Sequence, residues 1–468
     1  MNAPLWTAHE LLEATGGVLS APFEASGVSI DTRTLAAGDL FVALIGEGRD
    51  GHGFVADALA KGAAGAMVHD DVPSAGPVLR VDDTLAGLAR LGGFARTRFG
   101  ENGGRLAAVT GSVGKTTTKE MLRGALSAFG TTHAAAASYN NHWGLPLTLA
   151  RTPRDAQFCV AEIGMNHAGE IAPLARLARP HVAVITTIAK VHIGYLGSIE
   201  AIADEKADVM RGLEPGGIAV LPADSPQLAR LRAAAGDAVV LTFGTDPAAD
   251  IRLTGMDPDA DGSLIQVDIV GHQASLRLNA PGRHMAMNVL ATLGAVAALG
   301  LDPATAIEAL RAFVPLSGRG ARRRIAVGGG IALLLDESYN ANGTSMRAAL
   351  DVLRLQPARR RIAVLGDMLE LGDEGQAEHV GLTDSVIGSV DCLFTCGPLM
   401  RHLFDAVPAA LQGGHAVDSA ALAPMVAASI APGDAILVKG SLGSGMKRVV
   451  DAIEAVSSRS STVIAGAA

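Results

Sequence analysis

Short apolar runs alternate with helix-like stretches along most of the chain, and this pattern predicts an α/β protein. In the middle of the sequence, apolar runs at 106–110, 158–163, 182–187 and 218–221 predict strands. The same alternation returns in the last third, with runs at 331–335, 362–365 and 436–438. Strands that alternate with helices indicate parallel sheets covered by helices on both faces.

The pattern divides the chain into three predicted domains, at 1–103, 104–314 and 315–468. The first is a small α/β unit in which 40–45 predicts a buried strand, followed by a polar, glycine-rich linker at 99–104. In the second, apolar and polar positions alternate between 251 and 278, which predicts an antiparallel hairpin inserted in a parallel-sheet domain. The third is predicted to be a doubly wound, Rossmann-like domain.

Composition narrows the class of protein. Apolar residues make up 49% of the chain and charged residues 18%, which favours packed cores over disorder. The net charge of −9 argues against a nucleic-acid partner. No leader pattern is visible, and the longest apolar stretch, at 289–301, is shorter than the roughly 20 residues of a membrane helix. We therefore expect a soluble, cytoplasmic protein without membrane insertion.

A glycine-rich turn follows the first strand of the second domain and precedes a predicted helix. Its sequence is Thr110-Gly-Ser-Val-Gly-Lys-Thr116, which fits a phosphate-binding loop except that Val109 replaces the first glycine of the general pattern. Lys115 is expected to neutralise the β- and γ-phosphates, and the Thr116 hydroxyl to bind Mg²⁺. An ordinary strand–helix turn is the alternative. The predicted nucleotide contacts in this loop are Gly111, Ser112, Val113, Gly114, Lys115, Thr116 and Thr117.

The loop also carries a family resemblance. Its sequence through Lys119, including the missing first glycine, is similar to the nucleotide loop of the Mur ligases, which build the peptide of bacterial peptidoglycan. The resemblance extends over essentially the whole chain. It implies a uridine-binding first domain, a central phosphate-loop ATPase domain and a C-terminal ligase domain.

Three further residues of the central domain are candidate metal-site and catalytic residues. Glu162 ends a predicted strand, where open α/β sheets bind ligands. His192 and Lys206, judged by their neighbours alone, are more simply explained as ordinary polar residues. The resemblance implies that Glu162 binds one Mg²⁺, that His192 binds a second, and that Lys206 reacts with CO₂ to give a metal-binding carbamate. With Lys115 and Thr116, these residues form the predicted catalytic and two-metal site.

Other segments resemble the family's nucleotide contacts. Pro281-Gly-Arg-His-Met-Ala-Met-Asn288 implies adenine contacts from His284 and Asn288, although Met285 replaces an asparagine of the family. Arg319, in a Ser-Gly-Arg turn, and Asp336, after a predicted strand, are expected to contact ATP from the C-terminal domain. The alternative is that 281–288 is only the capped start of a helix, that Arg319 is a surface arginine and that Asp336 forms a turn.

Substrate contacts are implied by two first-domain motifs and by Asn140-Asn-His-Trp-Gly-Leu-Pro146. The predicted substrate-binding residues are Ser29, Thr32, Arg33, Gly46, Asp50, His52, Asn140 and Asn141. C-terminal segments such as Asp336-Glu-Ser-Tyr-Asn-Ala-Asn342 look most like those of members that add D-alanyl-D-alanine. Gly343 and Leu442 depart from that pattern, where proline and arginine are usual.

The resemblance therefore implies an ATP-dependent ligase, expected to be monomeric, that joins D-alanyl-D-alanine to a UDP-linked muramoyl tripeptide through an acyl phosphate. Two alternatives stay open. A folate- or amino-acid-polyglutamylating ligase shares the loop and the metal residues but should lack the uridine-type first domain. A nucleotide-dependent switch explains the loop, but it does not explain Glu162, His192 and Lys206 together.

Overall fold

Each of the three large sheets is built from a separate stretch of the chain. The computed structural model describes residues 3–46, 48–72, 76–135 and 138–465, with side chains to residue 457. Short 3₁₀ helices lie at Gly51–Phe54, Asp208–Gly212, Gly372–Glu374, Ala409–Leu411 and Leu442–Ser444. No helix in this described part is long and apolar enough to cross a membrane.

The first sheet has five strands in the order β1-β7-β6-β3-β2, and only β1 is antiparallel to its neighbour. The elements of this region are α1 (Ala8–Thr15), β1 (Val18–Leu19), β2 (Gly27–Ser29), β3 (Asp39–Val42), β4 (Ile45–Gly46), β5 (Arg49–Asp50), α2 (Val55–Ala60), β6 (Gly65–Val68), β7 (Val78–Arg80) and α3 (Thr84–Glu101). The predicted strand at 40–45 is wrong at its end. The buried strand stops at Val42, and Ile45 is 59% exposed in the separate hairpin β4–β5.

The second sheet has nine strands in the order β16-β15-β14-β13-β12-β11-β8-β10-β9. Its elements are β8 (Arg105–Thr110), α4 (Lys115–Leu126), β9 (Thr132–Ala134), α5 (Gly144–Ala150), β10 (Phe158–Glu162), α6 (Ile171–Ala178), β11 (Val182–Ile185), α7 (Ile193–Leu196), α8 (Ile199–Ala207), β12 (Ile218–Pro222), α9 (Leu228–Ala235), β13 (Val239–Gly244), β14 (Ile251–Pro258), β15 (Ser263–Ile269), β16 (His272–Leu278), α10 (Arg283–Ala298) and α11 (Pro303–Leu310). Strands β8 to β14 are parallel, with β8 between β10 and β11, and β14–β15–β16 form the predicted antiparallel extension. One face of the sheet packs against α4, α10 and α11, and the other against α5, α6, α8 and α9.

The third sheet has six strands in the order β17-β18-β22-β19-β20-β21, parallel except for the hairpin β17–β18. Its elements are β17 (Ala321–Val327), β18 (Gly330–Glu337), α12 (Gly343–Arg354), β19 (Arg360–Gly366), α13 (Gly375–Val380), α14 (Thr383–Ile387), β20 (Cys392–Cys396), α15 (Met400–Ala406), β21 (Gln412–Ala416), α16 (Ser419–Ser429), β22 (Asp434–Lys439) and α17 (Lys447–Ala465). The predicted α/β class and three-domain architecture are therefore confirmed. The boundaries at 103/104 and 314/315 stay predictions, and each lies between two sheets.

An ion cluster fixes the first domain on the central one. Glu10 of α1 accepts a hydrogen bond from Arg98 at 3.0 Å and pairs with Arg154. The Trp6 indole donates to the Ala150 carbonyl at 3.0 Å. Burial raises the pKa of Glu10, but hydrogen bonds from Thr7, Arg154 and Arg98 outweigh it and lower that pKa to about 2.

Candidate functional site

A cavity of about 670 Å³ lies between the central and the C-terminal domain. The predicted site residues that line it are Ser112, Val113, Gly114, Lys115, Thr116, Thr117, Asn140, Asn141, Glu162, His192, His284, Asn288 and Arg319. Its position at the carboxyl ends of β8 and β10 is where open parallel sheets bind ligands.

The phosphate loop joins β8 to α4 at one end of this cavity. Gly111 (φ 143°) and Gly114 (φ 87°) adopt backbone conformations that favour glycine. A Cβ at Gly114 would lie 2.4 Å from Asn288 Oδ1, so the loop packs directly against α10. Because α4 begins at Lys115, its free N–H groups and its dipole favour an anion at this place.

Lys115 lies at the centre of the loop. Its ammonium donates to the Gly111 carbonyl at 2.7 Å. Burial lowers the pKa of Lys115, the nearby Glu162 carboxylate opposes this effect, and Arg319 adds to it. A cation in this setting is suited to neutralise phosphate oxygens.

Thr116 and Glu162 form a buried oxygen pair beside the loop. The Thr116 hydroxyl donates to Glu162 Oε2 at 2.8 Å, and Asn140 Nδ2 donates to Glu162 Oε1 at 2.7 Å. Glu162 is 2% exposed. Hydroxyl and carboxylate oxygens are the ligands that Mg²⁺ prefers, so this pair fits a magnesium site. Asn141 also lines the cavity, and its Oδ1 accepts a hydrogen bond from Gly144 N, the first residue of α5, at 3.0 Å.

His192 lines the cavity where the central domain meets the C-terminal domain. It adopts the left-handed conformation (φ 59°) immediately before α7. Its Nδ1 lies against the carboxylate of Glu370, and this contact lowers the pKa of Glu370. Nearby, Lys190 pairs with Glu374 at 2.7 Å. The two domains are therefore joined at this edge by polar contacts.

Lys206 is placed differently from the other predicted metal residues. It is 2% exposed near the end of α8 and does not line the cavity. Burial lowers the pKa of Lys206 well below its ordinary value, and the positive charge of Lys115 adds to this effect. The lowered pKa favours the neutral amine of Lys206, and the neutral amine is the form that reacts with CO₂.

His284 and Asn288 line the cavity from the first turns of α10. Burial lowers the pKa of His284, which favours the neutral ring. Asn288 accepts from the Thr118 hydroxyl at 3.3 Å. From the C-terminal domain, the Arg319 guanidinium lies over the Tyr339 ring at 3.9 Å.

Asp336 does not line the cavity. Its carboxylate is completely buried and accepts hydrogen bonds from Gly318 N at 2.9 Å, Ser338 Oγ at 2.6 Å and Arg323 at 2.9 Å. Asp336 therefore fixes the turn that carries Arg319. Its predicted contact with ATP stays a prediction, and the geometry gives it a positioning role.

The predicted first-domain contacts lie apart from the cavity. His52 Nδ1 contacts Asp50 Oδ1 at 2.6 Å, beside the β4–β5 hairpin that holds Gly46. Ser29 is buried and bonds the backbone of Asp31, next to Thr32. Arg33 is exposed and pairs with Asp31. Tyr139, the residue before Asn140, packs against the apolar core of the first domain. The first domain and the cavity are therefore both adjacent to the central-domain loop that holds Tyr139 and Asn140.

Sequence reasoning missed several residues that line the cavity. These are Ser138, Arg283, Glu337, Tyr339, Asn340, Arg347, Asp351 and Lys439. Tyr339 and Asn340 lie in the same motif as Asp336, at 336–342, and Ser138 lies two residues before Asn140. Their proximity to predicted residues was the available signal. The contacts across the domain boundary were not visible in the sequence.

The fold and the site define a nucleotide-dependent enzyme of three α/β domains, and comparison with known proteins identifies its family. Three Mur ligase domain descriptions match the chain: the Mur ligase family catalytic domain at 24–85, the Mur ligase middle domain at 109–296 and the Mur ligase glutamate ligase domain at 318–442. The chain belongs to the Mur ligase family, and it is an ATP-dependent ligase.

Similar proteins match over almost the full length. The chain is 36% identical over 440 residues to the UDP-N-acetylmuramoyl-tripeptide–D-alanyl-D-alanine ligase of Synechocystis, and the match covers 92% of each protein. The crystal structure of MurF from Acinetobacter baumannii has a TM-score of 0.84 at 30% identity, covering 96% of this chain and 99% of that one. MurF from Thermotoga maritima in complex with ADP has a TM-score of 0.77 at 25% identity, covering 92% and 98%.

Proposed function

We propose that this chain ligates D-alanyl-D-alanine to UDP-N-acetylmuramoyl-tripeptide with consumption of ATP, a step of peptidoglycan precursor synthesis. The observation that carries the proposal is the phosphate loop facing Glu162 in a cavity closed by the C-terminal domain. The full-length similarity to ligases of that name supports the choice of substrates. We place the reaction in the cytoplasm, where ATP is available, with the chain acting as a monomer.

The reaction needs an activated carboxylate, because an amine cannot displace the oxide of a carboxylate ion. The γ-phosphoryl group of ATP is transferred to the terminal carboxylate of the tripeptide, which gives an acyl phosphate and ADP. The dipeptide amine then attacks the acyl carbon, and phosphate leaves. Lys115 of the central domain and Arg319 of the C-terminal domain both line the cavity, and they stabilise the charge that develops on the transferred group.

The C-terminal domain contributes to this chemistry by closing the cavity. The contacts of His192 with Glu370 and of Lys190 with Glu374 hold it against the central domain. Closure excludes water, which would otherwise hydrolyse the acyl phosphate. It also brings Arg319 to the phosphate end of the site, where its guanidinium lies within hydrogen-bond distance of Ser138.

The donor atoms at this site fit magnesium. Thr116 and Glu162 would hold one ion, and His192, with a carbamate on Lys206, would hold a second. Such ions would neutralise phosphate charge and orient the transferred group. Complete burial and a lowered pKa make Lys206 suited to carry the carbamate, since its ammonium form would repel a metal ion.

The first domain is proposed to bind the uridine nucleotide of the acceptor. Ser29, Thr32, Arg33, Gly46, Asp50 and His52 are the proposed contacts, with Asn140 and Asn141 next to the tripeptide end. Tyr139, the residue before Asn140, packs against the apolar core of the first domain across the domain boundary. An acceptor that spans from the hairpin β4–β5 to Glu162 would pass over these residues.

The proposal is tested by ADP release with UDP-N-acetylmuramoyl-tripeptide and ATP, in the presence and absence of D-alanyl-D-alanine. We expect release to depend on all three substrates and the pentapeptide product to accumulate. Release with glutamate and a folate in their place would support a polyglutamylating ligase instead. Hydrolysis of ATP that ignores every acceptor would support a nucleotide switch.

A further inference from the structure

The hydroxyl of Ser138 joins the C-terminal domain to the phosphate loop. Arg319 Nη2 donates to Ser138 Oγ at 3.0 Å, and Ser138 Oγ lies 3.2 Å from the Thr116 hydroxyl. The Thr116 hydroxyl in turn donates to Glu162 Oε2 at 2.8 Å. We refer to these four residues as the Arg319–Glu162 chain, because they link the two domains through consecutive hydrogen bonds.

The groups at the two ends fix the direction of every bond in this chain. A guanidinium can only donate and an ionised carboxylate can only accept. Ser138 must therefore accept from Arg319 and donate to Thr116, and Thr116 must donate to Glu162. A charged group stands at each end, and hydrogen bonds to charged groups are stronger than those between neutral groups.

The residues that follow Ser138 are anchored on the central domain. Asn140 donates to Glu162 at 2.7 Å and accepts from Gly164 N at 2.8 Å through its carbonyl. Ser138 therefore lies two residues before a side chain that is bonded at the centre of the site.

We propose that Ser138 is a positioning residue that couples the C-terminal domain, through Arg319, to the threonine of the phosphate loop. Arg319 stacks on Tyr339 within its own domain, and Ser138 supplies its direct hydrogen bond to the central domain at this end of the cavity. Removing the Ser138 hydroxyl leaves the stack in place but removes this link. The kinetic part of the inference rests on the proposed function, whereas the coupling of the two domains does not.

The kinetic test compares Ser138→Ala with the conservative Ser138→Thr. We expect kcat to fall about tenfold or more in the alanine variant, since a hydrogen bond to a charged group is lost. The Kd for ADP should change less than about threefold, and threonine should restore most of kcat. Ser127→Ala is the matched control, because among the described residues that hydroxyl bonds the Arg123 carbonyl of the preceding helical turn. A wild-type kcat in Ser138→Ala would overturn the proposal.

A double-mutant cycle tests the pairing itself. Because Ser138 is proposed to act through Arg319, Arg319→Ala with Ser138→Ala should lose no more activity than Arg319→Ala alone. Losses that multiply would show that the two residues act independently and would overturn the proposal.

Hydrogen–deuterium exchange of the full-length, ATP-free protein supplies a readout that does not depend on turnover. We expect Ser138→Ala to speed exchange both in 138–145 and across the domain boundary in 316–320, and Ser127→Ala to change neither. Faster exchange confined to 138–145 would contradict the coupling. If the wild-type protein showed no turnover that depends on the dipeptide, the proposed function would fail, and exchange would still decide the role of Ser138.

Discussion

Replacing Gly114 with alanine tests whether the conformation of the phosphate loop is what binds the nucleotide. Gly114 stands immediately before α4 with φ at 87°, a conformation that L-residues rarely adopt. A Cβ at this position would lie 2.4 Å from Asn288 Oδ1. The added methyl group therefore strains the backbone and also displaces Asn288 from Thr118, which donates to it at 3.3 Å.

The two costs are of similar size. A left-handed conformation costs an alanine about 1–2 kcal/mol, and the lost hydrogen bond costs about 1 kcal/mol. If the loop of the variant relaxes to avoid this strain, nucleotide binding has to restore the original loop conformation at the same cost. A total of about 2–3 kcal/mol corresponds to a Kd for ADP that is about 30-fold to 150-fold weaker.

Isothermal titration with ADP measures this effect, and Gly124→Ala on the same helix is the control. A Cβ at Gly124 meets no atom within 4 Å, so alanine there should leave the Kd unchanged. It should also raise the unfolding temperature slightly, because alanine favours a helix by about 0.5–1 kcal/mol over glycine. An unchanged ADP affinity in Gly114→Ala would refute this explanation of the loop.

Three further predictions follow from buried charges. In ¹³C-bicarbonate, Lys206 should give the NMR signal of a carbamate carbon, and Lys206→Arg should abolish both this signal and ligation. Ligation by the wild-type protein without the signal would count against the carbamate. Asp336→Asn should destabilise the C-terminal domain by about 3 kcal/mol in thermal unfolding, because the carboxylate paired with Arg323 is buried; unchanged stability with weaker ADP binding would favour a direct ATP contact. The pKa of Glu10 is about 2 in the folded protein, and its ordinary value is 4.5. Its contribution of about 2 kcal/mol to the free energy of unfolding is therefore fully present above pH 4.5 and is lost as the pH falls toward 2. In Glu10→Gln this part of the acid dependence should disappear from unfolding curves, and an unaltered curve would contradict it.

Local patterns were enough to predict the residues around the phosphate loop. A buried strand, two glycines and a helix start place Lys115 and Thr116 without any tertiary information. Glu162 could also be placed, because the carboxyl ends of parallel strands meet at one edge of a sheet. The resemblance to a family supplied the roles of these residues.

Contacts between domains could not be predicted in the same way. The pairing of His192 with Glu370 joins residues far apart in the sequence, and neither has a local pattern that indicates the other. Asp336 lies near the carboxyl end of β18, as a ligand-binding residue would, yet its hydrogen-bond partners hold the carboxylate within its own domain. The strand predicted to reach Ile45 ends early because the chain turns into an exposed hairpin. Apolar character alone does not reveal such a turn.

The most direct test of the account is the dependence of ADP release on the dipeptide. Purified protein with ATP, magnesium and UDP-N-acetylmuramoyl-tripeptide should release ADP at a low rate, and adding D-alanyl-D-alanine should raise the rate and yield the pentapeptide product. Glu162→Gln should abolish this stimulation. A rate that is the same with and without the dipeptide would contradict the account.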